Sequence, residues 1–236
     1  MDTQTRHALK HDSLIDSAHT AADWMQENKA VVIKYSIIIA IVLIVGTIAT
    51  ALYQSQLAKA QIAFGVAMDT YLTPIAQSDA EQQPGMKTYP TVAARAKDAN
   101  AAFLKVADSY RHTSAGKNAE YFAGLTYAEM GQTADAERTL KQVANHDDKN
   151  LAALAQMTLA SLAQQSGRTP DAVKIYQQLA AHPTATVPAS QAKLALAAIY
   201  EQSNPQQAKQ LYAEIKDANK ATAAGQIATQ KLAQLH

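Results

Sequence analysis

At 236 residues the chain is long enough for one domain of ordinary size plus an anchoring segment. Hydrophobic residues make up 48% against 17% charged, and alanine is frequent while aromatics are few, so closely packed helices are favoured over sheet or disorder. A formal net charge of +1, with the charges scattered, excludes the clustered Lys and Arg that nucleic acid demands, and the lack of cysteine excludes disulfides, thiolate catalysis and Cys-ligated zinc.

Residues 1–34 form a polar tail. Leu14, Ala18, Ala21, Ala22 and Met25 recur near helical spacing, which predicts a short helix lying at a membrane surface. His7 and His11 are four apart, a spacing that chelates metal on a helix, with Asp12 nearby. No frame that would orient them is visible, so the tail is read as solvated and no metal or cofactor is expected.

Residues 35–53 read as a membrane-spanning helix. No charge occurs from Tyr35 to Ala58, and the stretch is densest at Ile37-Ile38-Ile39-Ala40-Ile41-Val42-Leu43-Ile44-Val45. At ~1.5 Å per residue, Tyr35 to Leu52 covers roughly 27 Å, close to a hydrocarbon core. Tyr35 and Tyr53 bracket it, as interfacial rings do. Ala49-Thr50-Ala51 has the small-x-small form of a cleavage site, but the long segment before the apolar run favours an uncleaved signal anchor. Lys29 and Lys34 on one side against Lys59 on the other place the N-terminus in the cytoplasm and residues 54–236 outside it. Gly46-x-x-x-Thr50 is a spacing used in helix contacts within lipid, though lipid-facing sequence carries it equally often.

Beyond the anchor, Leu57, Phe64, Met68, Tyr71 and Leu72 make an apolar stripe over 54–72. A loop over 74–90, with Pro74, Pro84-Gly85 and Pro90, should be exposed and mobile. The next helix carries Ala99, Phe103 and Val106, an alanine–aromatic–aliphatic series that returns further along the chain.

That series is the second half of a repeat. Ala123-Gly124-x-x-Tyr127-x-x-x-Gly131 is followed by Ala136, Leu140 and Val143. Leu159-Ala160-x-x-Ala163-x-x-x-Gly167 is followed by Ala172, Tyr176 and Leu179. Leu196-Ala197-x-x-Tyr200 is followed by Ala208, Tyr212 and Ile215. Ala136, Ala172 and Ala208 are spaced by 36 residues, the mark of stacked helix pairs. Gly124, Ala160 and Ala197 should be small where the two helices of a pair touch. Tyr127, Tyr176 and Tyr212 should fill the larger gaps. Gly131 and Gly167 should end first helices in left-handed caps, and Pro170 suits a helix start. Ser203-Asn204-Pro205 makes the third turn one residue shorter. Residues 221–235 read as a closing helix, with Ile227, Leu232 and Leu235 covering the last pair. The expected class is therefore all-α: an N-terminal transmembrane helix followed by a tetratricopeptide-type α-solenoid.

First helices of such pairs line a common face. Its members here are Asn118, Tyr121, Leu125 and Glu129, then Leu154, Met157, Ser161 and Gln164, then Gln191, Leu194, Ala198 and Glu201. This face is mostly apolar and lacks a basic clamp, which suits an amphipathic helix or an unfolded segment. The competing reading is that these side chains only pack against neighbouring helices. No G-x-S-x-G, H-E-x-x-H or Walker loop occurs, and no catalytic residue is assigned.

The repeat resembles the tetratricopeptide pattern, with its small residue at the eighth position and alanine at the twentieth. The order of a tail bearing Trp24-Met25-Gln26-Glu27-Asn28-Lys29, an apolar anchor and a repeat domain resembles the ancillary SecYEG translocon subunit family (YfgM-type). The resemblance covers residue 12 to the end, and the 74–90 loop departs from it. It implies an inner-membrane protein with periplasmic repeats and no cofactor. The implied partners are the SecYEG translocon, a membrane-anchored periplasmic chaperone of the prolyl-isomerase-like type, and newly translocated proteins. A structural scaffold for another envelope assembly machine is the alternative.

Overall fold

A computed structural model describes residues 24–76 and 88–235. The helices named among them are α1 (Lys29–Leu72), α2 (Val92–Ser109), α3 (Ser114–Glu129), α4 (Thr133–Ala144), α5 (Lys149–Gln165), α6 (Thr169–Ala181), α7 (Ala189–Ser203), α8 (Pro205–Ala218) and α9 (Ala223–Gln234). No strand occurs among the described residues, so the chain is all-α. It divides into two compact units, one ending at Gln56 and the other starting at Leu57. His7, His11, Asp12, most of the predicted surface helix and residues 77–87 of the 74–90 loop lie outside the described residues.

In the first unit, Ile37, Ile38, Ile39, Ile41, Val42 and Leu43 are all exposed, on every side of α1. Among the described residues nothing covers this stretch, and α1 is long and apolar enough to cross a membrane. Two hydroxyls of this stretch bond to carbonyls of the same helix. Thr47 Oγ1 donates to the Ile44 carbonyl and Thr50 Oγ1 to that of Thr47, each at 2.8 Å.

The second unit begins with the rest of α1. Ala60 and Ala67 are fully buried, and Phe64, Met68 and Tyr71 pack on Phe103 of α2 and Phe122 of α3. The Phe103 and Phe122 rings stack at 5.2 Å, and Phe64 stands 5.9 and 5.8 Å from them. One member of the predicted stripe is misplaced. Leu72 is 66% exposed, because it falls off the arc set by Phe64, Ala67 and Tyr71. Both ends of the 74–90 loop are tied. Ala76 N donates to the Tyr89 carbonyl at 2.9 Å and Tyr89 N to that of Pro74 at 3.0 Å. Tyr89 itself is buried, with its hydroxyl on Asp98 at 2.8 Å.

From α2 onward each helix packs mainly on its neighbours in sequence, with further contacts between α3 and α5 and between α7 and α9. Turn chemistry marks most of the helix starts and two of the helix ends. Thr91, Thr113, Asp148, Asn204 and Thr222 accept backbone N–H groups as N-caps of α2, α3, α5, α8 and α9. Gly131 and Gly167 follow α3 and α5 at φ +74° and +76°, where a side chain would be strained. Asn204 ends α7 and caps α8 at once, and this shared role makes the third turn shorter. Ala136, Ala172 and Ala208 are fully buried, as are Ala160 and Ala197. Tyr176 and Tyr212 are buried, while Tyr127 and Tyr200 are half-buried. Toward the end of the chain, Leu232 and Leu235 pack on the Tyr212 cluster, whereas Ile227 is 46% exposed and is not part of it.

Candidate protein-binding surfaces

On the common face read from the first helices, Tyr121, Leu154, Met157 and Leu194 are half-buried side chains packed on three separate core clusters. Tyr121 packs on the cluster of Leu140, Val143 and Leu151. Its hydroxyl lies 3.3 Å from Thr158 Oγ1, which itself donates to the Leu154 carbonyl, so Tyr121 is the donor. Leu154 and Met157 pack on the cluster of Tyr176 and Leu196, and Leu194 on that of Tyr212 and Ile215. Asn118 and Leu125 are half-buried, and Gln164 is exposed. The structure does not gather these side chains into one apolar cluster. It leaves their outer edges along α3, α5 and α7.

The carboxylates closing this row are already engaged. Glu129 Oε1 accepts from the Tyr71 hydroxyl at 2.7 Å, and Arg95 Nη2 lies 3.5 Å from Oε2. The Arg95 guanidinium also sits over the Tyr71 ring, 5.1 Å from its centre. Burial first, then the bond to Glu129, pushes the Tyr71 phenol up to about 12. Glu201 repeats the arrangement at the far end. It accepts from Tyr212 at 2.6 Å and lies 3.0 Å from Lys231 Nζ. The Tyr212 bond, then Lys231, holds the Glu201 carboxyl below its usual range, and burial pushes Tyr212 up. Both glutamates therefore lock helix contacts, and neither is a free recognition group.

The structure opens other surfaces that the repeat pattern does not mark. One cleft of about 580 Å³ is lined by α2, α3 and α4, with Arg111, Glu120, Tyr127, Arg138 and His146 among its residues. Inside it, His146 Nε2 stands 3.2 Å from Glu120. Two more clefts, of about 690 and 350 Å³, lie between α4 and α6 over α5. None of the three is lined by Asn118, Tyr121, Leu125, Leu154, Met157, Gln164 or Leu194. At ~100° per residue, the reason is visible on α5: Ala152, Gln156, Leu159 and Ala163 share one face, and Leu154, Met157 and Ser161 the opposite one. Sequence reading also missed Asn100, a buried amide donating at 3.0 Å to both the Ala123 carbonyl and Thr126 Oγ1. Among the described residues no three His, Asp or Glu side chains gather to hold a metal ion.

The chain matches no family model, no curated protein and no solved structure.

Proposed function

We propose that this chain is a membrane-anchored protein-interaction module: an exported tetratricopeptide-type solenoid whose first-helix face holds another protein. The observation that carries this reading is the 36-residue recurrence of the fully buried Ala136, Ala172 and Ala208. Repeating close contacts at a fixed period is what stacked helix pairs require, and such stacks present extended faces to partners. The packing of α3 on α5 and of α7 on α9 supports the same stacking. Anchoring rests on α1, and the N-in orientation on Lys29 and Lys34 against Lys59.

The partners follow from the resemblance to the ancillary translocon subunit family: SecYEG, a membrane-anchored periplasmic chaperone, and newly translocated chains at a bacterial inner membrane. The test is affinity purification of the full chain from gently solubilised membranes, with identification of the copurifying proteins. Enrichment of translocon subunits and a prolyl-isomerase-like chaperone is expected. Enrichment of wall- or outer-membrane-assembly proteins instead would replace this reading with that of a scaffold for another envelope machine.

A further inference from the structure

The two clefts between α4 and α6 adjoin at Gln178, which lines both, and are taken together as one groove. We propose that this groove is a second protein-binding site, distinct from the first-helix face, and that its occupant is an acidic amphipathic helix of a partner protein.

Small and apolar side chains make the floor: Ala152, Ala153, Leu159 and Ala163 of α5, with Ile175 and Leu179 of α6 along the wall. Alanines there allow another helix to approach closely. The wall formed by α6 has 13 residues, about 20 Å at ~1.5 Å per residue, the length of a helix of three to four turns.

The rim carries the charge. Lys141, Lys149, Arg168 and Lys174 line the groove against two carboxylates, Glu137 and Asp171. Glu137 is not available to a ligand. Its side chain is 17% exposed and lies beneath Arg168 and Lys141, both of which bind it. These two cations are 43% and 64% exposed, and with the exposed Lys149 and Lys174 they outnumber Glu137 and the exposed Asp171, so the lining is net positive. A chain with a net charge of +1 thus concentrates cations along one apolar groove. Charge of the opposite sign along both flanks of an apolar helix face complements it.

The test uses the full chain in nanodiscs of zwitterionic lipid, and fluorescent helical peptides of about 14 residues. One peptide has Leu at helical spacing flanked by Glu, a twin carries Lys for Glu, and a third carries Ser for Leu. The Glu–Leu peptide should bind at least about tenfold tighter than either twin, and the difference should shrink as salt is added. The double variant Lys149→Glu/Lys174→Glu alters two exposed side chains. It should lose the Glu–Leu peptide and gain the Lys twin, a reversal that unfolding cannot produce. Gln156→Trp, which fills the floor, should weaken both peptides. Equal affinity for the Glu and Lys peptides, or a preference unchanged in the double variant, would overturn the proposal. So would loss of the Glu–Leu peptide on changing the nanodisc to anionic lipid at constant salt, which would assign the cationic rim to lipid headgroups.

Discussion

Two glycines separate packing from helix propensity. A Cβ at Gly124 would come within 2.7 and 2.8 Å of Cγ and Cδ2 of Leu140, a fully buried side chain that would have to shift within the core. Gly65 lies inside α1 with open space around its Cα. Gly124→Ala should therefore destabilise the fold by ~1–3 kcal/mol, and Gly65→Ala should stabilise it by ~0.5–1 kcal/mol. Chemical denaturation of the full chain in detergent checks both signs, and a neutral Gly124→Ala would mean that α3 and α4 do not meet at Leu140. Tyr71 gives a pH signature. Its phenol titrates at about 12 in the fold against 10.0 without burial, so its contribution is complete below pH 10 and is lost as pH rises through about 12. Tyr71→Phe should flatten the fall of stability over that window, leaving the parts due to Tyr176 and Tyr212, which burial also pushes up. An unchanged slope would show that the phenol is solvated. At this scale the small residues are legible in sequence because they recur at a fixed period. Asn100 with Thr126, and Arg95 with Tyr71 and Glu129, are not, since each joins single residues of different helices and nothing in the local pattern marks the pairing.

Helix ends follow from turn chemistry, and the period locates the helices. Gly131, Gly167 and Pro170 mark two turns that the sequence announces. The connection from α6 to α7 is less visible. There Val187 is fully buried, and Thr186 Oγ1 donates to the Asn150 carbonyl at 2.7 Å, a contact 36 residues away that no local signal predicts. The same limit applies to the first-helix face. Period identifies Tyr121, Met157 and Leu194 as equivalent, but how deeply each sinks depends on neighbours that periodicity does not specify. Burial at the second-helix alanines makes a sharper claim. Ala172 is fully buried and Ala198 exposed. Ala172→Leu should cost ~1–3 kcal/mol through overpacking, while Ala198→Leu should be near neutral. Thermal unfolding of the two variants side by side measures this, and matching midpoints would contradict the helix register.

For the whole molecule, an apolar helix long enough to span a membrane precedes a series of helices that pack mainly on their sequence neighbours, and two surfaces on that series are proposed to bind protein. The first-helix face carries the proposed function, and Gln164 and Asn118 lie on it at exposed and half-buried positions. The α4–α6 groove lies on the opposite face of α5, so the two surfaces can be probed apart. The most direct measurement is photo-crosslinking in intact cells from a reactive residue placed singly at Asn118, Gln164 or, as a control, the exposed Lys216 of α8. Adducts with translocon subunits, a membrane-anchored chaperone or chains in transit are predicted from Asn118 and Gln164 and not from Lys216. Adducts absent from both inward positions, or equal from all three, would contradict the assignment of this face as the protein-binding surface.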